Sequence, residues 1–196
     1  MYVTGLVLAA GTSSRLGRPK QTLFVGGVPI LGASLDVARA YGFDQLLVTL
    51  GRASDEIMNT VDLTGAEVVY NEDYATGCSS SITRAVTAVH PASAGIVLLL
   101  GDQPGIRPET IAALVSEAKD ADLGVCRYQD GRGHPLWLSR SVFGELSTLH
   151  GDKAVWKLLD SPTLTVAEAK IAARIPLDVD TWDDYDRLLA HDRETP

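Results

Sequence analysis

Five short runs dominated by valine and leucine, at residues 3–8, 45–50, 66–70, 95–100 and 123–128, recur along the chain and constrain its fold more than any other feature. Each has the length of a strand and lacks the alternation of a sheet with one wet face, so each suits a strand buried on both sides. Between them, residues 30–41, 54–61, 79–90 and 108–119 carry apolar side chains at helical spacing, with Pro108 well placed for a first turn. Strands alternating with helices in this way predict an α/β fold, a parallel sheet covered by helices. Past residue 128 the pattern loosens. Gly131 and Gly133 predict a turn, residues 136–138 a short strand, 141–149 and 153–159 helices, 163–166 and 174–177 edge strands, and Thr181 the start of a last helix before a frayed tail from His191. No repeat, linker or low-complexity stretch appears. With 196 residues and 45% hydrophobic content the chain can bury one sizeable core, so residues 1–196 are expected to form a single domain.

A formal net charge of −8 excludes a general binder of nucleic acid or anionic membrane, because both need a basic face. Any phosphate-binding charge must therefore be local. The amino terminus has no charged region leading into a long apolar stretch and cleavage site, and no apolar run reaches membrane-spanning length, so a cytoplasmic location is expected. Cys78 and Cys126 lie far apart with no C-x-x-C spacing, which suits reduced thiols, and His90, His134, His150 and His191 show no metal-ligand spacing.

Local basic charge occurs directly after the first apolar run, in Leu8-Ala9-Ala10-Gly11-Thr12-Ser13-Ser14-Arg15-Leu16-Gly17-Arg18-Pro19-Lys20. A loop leaving the carboxyl end of a strand occupies the ligand-binding edge of an open α/β sheet. Its glycines permit close backbone approach, its hydroxyls donate, and Arg15 and Lys20 supply charge, a combination suited to a nucleoside triphosphate. It is not a Walker loop, which ends in Gly-Lys-Ser/Thr, nor a dinucleotide fingerprint, since Gly11 is followed by Thr12 and Ser13. The competing reading is a polar surface loop whose glycines serve only turns.

Gly101-Asp102-Gln103-Pro104 follows the apolar run at 95–100 and puts a carboxylate into the same crevice, where Asp102 can hold Mg²⁺ against triphosphate oxygens or simply form an Asx-turn. A second carboxylate is available in Leu177-Asp178-Val179-Asp180-Thr181. Extended alternation puts Asp178 and Asp180 on one side, with Asp180 the better ligand candidate and Asp178 also readable as a surface turn. Thr181 and Asp184 resemble a helix-capping pair, and Asp183 and Asp184 read as first-turn acids.

Taken in order, Leu8-Ala9-Ala10-Gly11 with Arg15, Gly17 and Pro19-Lys20, then Asn71, Gly77-Cys78-Ser79-Ser80-Ser81-Ile82, Leu100-Gly101-Asp102-Gln103-Pro104, Gly133-His134-Pro135 and Asp178-Val179-Asp180-Thr181 make a resemblance explicit. The chain resembles the molybdenum cofactor cytidylyltransferase-like group of MobA-like NTP transferases over nearly its whole length. The resemblance implies a three-layer, Rossmann-like nucleotide-diphospho-sugar transferase fold, its mostly parallel sheet holding one antiparallel strand. It further implies that the backbone of Leu8, Ala9 and Gly11, with Ala10, Gly77 and Ser81, frames the base, that Arg15 and Lys20 hold phosphates, and that Asp102 and Asp180 bind Mg²⁺.

The implied reaction joins CTP to phosphorylated molybdopterin and releases pyrophosphate. The acceptor phosphate, with a second pKa near 6, needs no protein nucleophile. Leu-Ala-Ala-Gly in the first loop favours CTP over GTP, since guanylyl-transferring relatives resemble Leu-Ala-Gly-Gly there. Residues 20–21 and 28–31 are also similar to methylerythritol phosphate cytidylyltransferases, which carry a different stretch at Asp102. By family position His134 faces the acceptor, either donating to its phosphate or shaping a turn before Pro135. Ala154-Val155-Trp156 departs from the Gly-Ala-Arg usual after Gly151-Asp152-Lys153. Trp156 is read as a core anchor and Cys78 as an apolar filler near the base. Other outcomes consistent with the chain are a different small-molecule phosphate cytidylyl- or guanylyltransferase, or a non-catalytic nucleotide-binding accessory protein serving a molybdenum hydroxylase.

Overall fold

The structure, a computed structural model, describes residues 1–148, 151 and 154–194. Strand β1 (Tyr2–Leu8) leads through the glycine-rich loop into a two-stranded hairpin, β2 (Phe24–Val25) and β3 (Val28–Pro29), and then into α1 (Ile30–Tyr41). Next come β4 (Gln45–Leu50), α2 (Ser54–Thr60), β5 (Glu67–Tyr70), α3 (Cys78–Val86), β6 (Ser93–Leu100) and α4 (Pro108–Ala118). The remainder comprises β7 (Leu123–Tyr128), β8 (Gly131–Ser139), α5 (Phe143–Leu146), α6 (Ala154–Leu158), β9 (Val166–Lys170) and α7 (Trp182–Glu194).

Seven strands make one sheet in the order β5-β4-β1-β6-β8-β7-β9. Strand β8 runs antiparallel to both neighbours and every other pair is parallel, which is the mostly parallel arrangement expected. Alternation sends Leu6, Leu47, Ile96 and Leu98 to one face, against Ile82 and Ala85 of α3, Leu146 of α5 and Val155 of α6. Val7, Val48, Val97 and Leu99 point the other way, onto Leu31 and Leu35 of α1 and Ile111 and Leu114 of α4. Both faces of the central strands are covered, which is why their sequences run apolar without a break.

Differences from expectation fall after β7. The glycines read as a turn lie inside β8, where Tyr128 pairs with Gly131 and Cys126 with Gly133. Gly133 is there for packing: a Cβ would stand 3.1 Å from the Tyr128 ring and 3.2 Å from Ile175. The strand expected at 163–166 moves to β9, because the Thr165 backbone N–H and hydroxyl donate to Asp122 at 3.0 and 2.8 Å. Residues 174–177 form no ladder. Their polar groups are taken by side chains, Ile175 N donating to Asp130 at 2.9 Å and Gln103 Nε2 to the Pro176 carbonyl at 2.9 Å. The helix expected over 141–149 is a 3₁₀ turn at Arg140–Val142 followed by α5, and α7 continues past His191 to Glu194. Residues 149–150, 152–153 and 195–196, and with them His150 and the Asp152-Lys153 part of the family motif, lie outside the described residues.

Candidate active site

Strand β1 ends between the carboxyl ends of β4 and β6, where Gly101 N donates to the Leu8 carbonyl (2.9 Å) and Ala9 N to the Thr49 carbonyl (3.1 Å). The glycine-rich loop starts there and is held from beneath by Gln21, which is buried. Its Nε2 donates to the carbonyls of Ala9 (2.8 Å) and Gly11 (3.4 Å). Ser13 Oγ donates to Gln21 Oε1 (3.4 Å) and accepts from Lys20 N (3.1 Å), which pins Ser13 at a φ of +50°. A non-glycine residue occupies that left-handed region only at a cost, which local hydrogen bonds offset here. Gly17 needs its freedom, with φ at +69°, whereas Gly11 faces open space, a Cβ on it meeting nothing within 4 Å. In the sequence Gln21 carried part of a family resemblance but no role of its own.

The loop forms one wall of a cleft of about 550 Å³. Leu8, Ala9, Ala10, Gly11, Arg15, Lys20, Gly77, Ser81, Asp102 and Asp180 all line it, joined by Tyr74, Thr76 and Cys78, of which only Cys78 was expected near the base. Opposite the loop, Asn71 organises the entry to α3: its Nδ2 donates to Ser80 Oγ and Ser81 Oγ at 2.9 Å each, and its Oδ1 accepts from Asp73 N at 3.0 Å. Gly77 carries the turn with φ at +109°. Asn71 appeared in the sequence motif without a role; its burial and its bonds supply one.

Charge converges at the floor of this cleft. Lys20 Nζ contacts Asp102 Oδ2 and lies 2.7 Å from Asp180 Oδ1, and Arg15 reaches Asp180 Oδ2 at 3.3 Å. Burial is the largest influence on the Lys20 ammonium and pulls its pKa down, but the Asp102 charge and the hydrogen bonds to Asp102 and Asp180 outweigh it and leave it raised. The Lys20 hydrogen bond in turn holds the Asp180 carboxyl below its usual range. Asp178 feels the same cluster: burial raises its carboxyl, and the charges of Asp102 and Asp180 add to that. Among the described residues no three His, Cys, Asp or Glu side chains converge as a metal site. Two carboxylates aimed at one point are nevertheless a donor set that could hold a magnesium-type ion if substrate phosphates completed its shell.

His134 stands apart from this group and does not line the cleft. Its ring meets Trp156 edge-on, with centroids 5.4 Å apart and planes at 89°, and burial lowers its pKa to about 4. It is therefore neutral near pH 7 and has no charge to offer an acceptor phosphate. Trp156 packs against the core cluster around α3, as a core anchor should. Cys126 is fully buried and its thiol is pushed up to about 12 by that burial. The capping pair is present: Asp184 Oδ2 accepts from Thr181 N (2.9 Å) and Thr181 Oγ1 accepts from Asp184 N (3.2 Å), while Asp183 is exposed.

The family model of the MobA-like NTP transferase domain matches residues 5–168, from β1 into β9. The chain belongs to the MobA-like NTP transferase family. The resemblance drawn from the ordered motifs thus holds at family level. Among solved structures, the homologue of Mycobacterium tuberculosis Rv0371c from Mycobacterium sp. strain JC1 is 52% identical with a TM-score of 0.95, over 99% of this chain and 98% of that one. Rv0371c of Mycobacterium tuberculosis H37Rv, solved in complex with manganese, is 49% identical with a TM-score of 0.88, over 97% of this chain and 99% of that one. Nicotine blue oxidoreductase of Paenarthrobacter nicotinovorans is 28% identical over 159 residues, 76% of this chain and 78% of its own length.

Proposed function

We propose that this MobA-like protein transfers CMP from CTP to the phosphate of molybdopterin, with Mg²⁺ as cofactor and release of pyrophosphate. The observation that carries the reading is the convergence of Asp102, Asp180, Lys20 and Arg15 at the floor of a nucleotide-sized cleft. Manganese in a 49% identical relative supports a divalent ion. The Ala9-Ala10-Gly11 sequence supports cytidine through the family pattern, and the resemblance alone supports the acceptor.

In this reading the loop backbone, Ala10, Gly77 and Ser81 hold the base and ribose, while Arg15 and Lys20 bind the outer phosphates. Asp102 and Asp180 would hold the Mg²⁺, which supplies charge neutralisation to the departing pyrophosphate. An ionised acceptor oxygen forms a bond to the α-phosphorus as the bond from that phosphorus to the bridging oxygen breaks. The electron pair leaves with pyrophosphate, and no protein base is needed. Arg15, exposed over two thirds of its side chain, can follow the charge as it moves onto the leaving group. By family position His134, neutral and outside the cleft lining, would serve the acceptor side as a shape-giving or single-donor group.

Among the described residues no helix is long and apolar enough to cross a membrane; a cytoplasmic setting and hand-over of product to a molybdenum hydroxylase belong to the same proposal. The test is pyrophosphate release from each of the four nucleoside triphosphates, with Mg²⁺ and with phosphorylated pterin as acceptor. CTP-dependent release that requires the pterin is expected, and release from none of the four would overturn the reading. An accessory carrier would bind CTP and cofactor without releasing pyrophosphate. Because one relative is named nicotine blue oxidoreductase, reduction of nicotine blue by an added chemical reductant is measured on the same preparation, and turnover there without pyrophosphate would place the activity in that class.

A further inference from the structure

The point on which Asp102 and Asp180 converge is taken by a cation of the chain itself. Lys20 contacts one oxygen of each carboxylate, with only 11% of its side chain exposed, and Arg15 holds the second oxygen of Asp180. The backbone at Lys20 is fixed. Its N–H donates to Ser13 Oγ, Gln21 is locked under the loop, and Thr22 Oγ1 donates to the Pro19 carbonyl at 3.0 Å. The four-carbon side chain, in contrast, has the torsional freedom to swing. A hard divalent ion needs the same two carboxylates together with phosphate oxygens, and an ammonium and a divalent ion cannot both sit against that oxygen pair without strong repulsion. An incoming triphosphate gives the ammonium a second anionic partner in the same cleft.

We propose that Lys20 is a placeholder cation. It holds Asp102 and Asp180 together in the nucleotide-free protein, competes with a divalent ion arriving alone and so weakens its binding, and releases the carboxylates when a triphosphate takes up its charge. Metal and nucleotide then bind as a linked pair, each raising affinity for the other by the same factor. The inference rests on the metal-holding role given to Asp102 and Asp180 above and is independent of the identity of the acceptor.

The probe is Mn²⁺ on the full-length protein, followed by water-proton relaxation, which separates protein-bound ion from Mn–CTP in solution. Wild-type protein should take Mn²⁺ alone weakly, and CTP should tighten that uptake about tenfold or more, within the range common for linked sites. Lys20→Met should take Mn²⁺ alone about tenfold more tightly than wild type, Lys20→Arg should not, and adding Asp102→Asn to Lys20→Met should abolish the gain. Wild-type binding of Mn²⁺ that is indifferent to CTP would overturn the proposal without any variant, as would Lys20→Met binding no tighter than wild type. Absence of Mn²⁺ binding under every condition overturns it together with the metal assignment. The expected linkage, found in a protein that releases no pyrophosphate, would leave the placeholder role standing and remove only the transfer reaction.

Discussion

Replacing His134 with Gln should flatten the acid side of the stability curve. The folded chain holds the His134 imidazole neutral by burial, with a pKa of about 4 against an ordinary value of 6.5. Above about pH 6.5 both folded and unfolded chains are neutral there, and the full stability is present. As pH falls from 6.5 toward 4 the unfolded chain takes up a proton that the folded chain refuses, so stability is lost. For that gap the loss between about pH 7.5 and pH 5 comes to about 2 kcal/mol, an upper figure because the ring keeps some surface. The carboxyls of Asp62, Asp122, Asp180 and Asp184 are all held low, remain largely ionised at pH 5, and contribute equally to both proteins. Urea unfolding of wild type and His134→Gln at the two pH values isolates the histidine: wild type should lose about 2 kcal/mol more than the variant. Equal losses would refute the assignment of a neutral, partly buried imidazole, and a charged His134 would return as a candidate for acceptor phosphate.

Three further outcomes follow from the cleft itself. Asp102→Asn and Asp180→Asn should each cut pyrophosphate release by about 100-fold or more, while Asp183→Asn, altered on an exposed helix turn, should release it at the wild-type rate. Arg15→Ala should weaken CTP binding by about 10- to 100-fold in calorimetry, the equivalent of about 1.5–3 kcal/mol for a charged hydrogen bond. Gln21→Ala leaves the Ala9 carbonyl without its donor, so it should cost about 1–3 kcal/mol in urea unfolding and, by loosening the loop, also lower CTP affinity.

The central strands and the helices α1 to α4 were legible because both faces of the sheet are buried and a strand without alternation has few other readings. The region beyond β7 was less so, for a physical reason. There the chain satisfies its backbone through individual side chains, Asp122 on Thr165, Asp130 on Ile175 and Gln103 on Pro176, and such bonds leave no periodic trace. Gly133 misled as a turn signal because its missing side chain makes room for the Tyr128 ring. In the site, charged residues were found by type and by place after a strand, and the structure brings Arg15, Lys20, Asp102 and Asp180 together. Gln21 and Asn71 went unassigned, since a buried amide that organises a loop looks in sequence like any other polar residue. His134 was placed by family position alone, and its burial, which decides its charge, was invisible.

The pairing of the two carboxylates depends on a residue with no chemistry of its own. Val179 is fully buried in a small cluster with Leu16 of the glycine-rich loop, Leu23, Ile30 and Leu188 of α7, and its N–H donates to the Asp102 carbonyl at 3.1 Å. One short segment is thereby tied to both walls of the cleft, by a backbone bond to the Asp102 loop and by apolar contact with the glycine-rich loop. In extended chain the neighbours of a buried residue point the opposite way, so sinking Val179 turns Asp180 toward the cleft. The capping pair then fixes where α7 begins, and Asp180 N itself donates to Asp184 Oδ2 at 3.3 Å. The family match ends at residue 168, yet the second carboxylate and its anchor come after it. A chain stopped after β9 would keep the glycine-rich loop and Asp102 but lose half of the carboxylate pair, along with the packing that Val179 and Leu188 give Leu16.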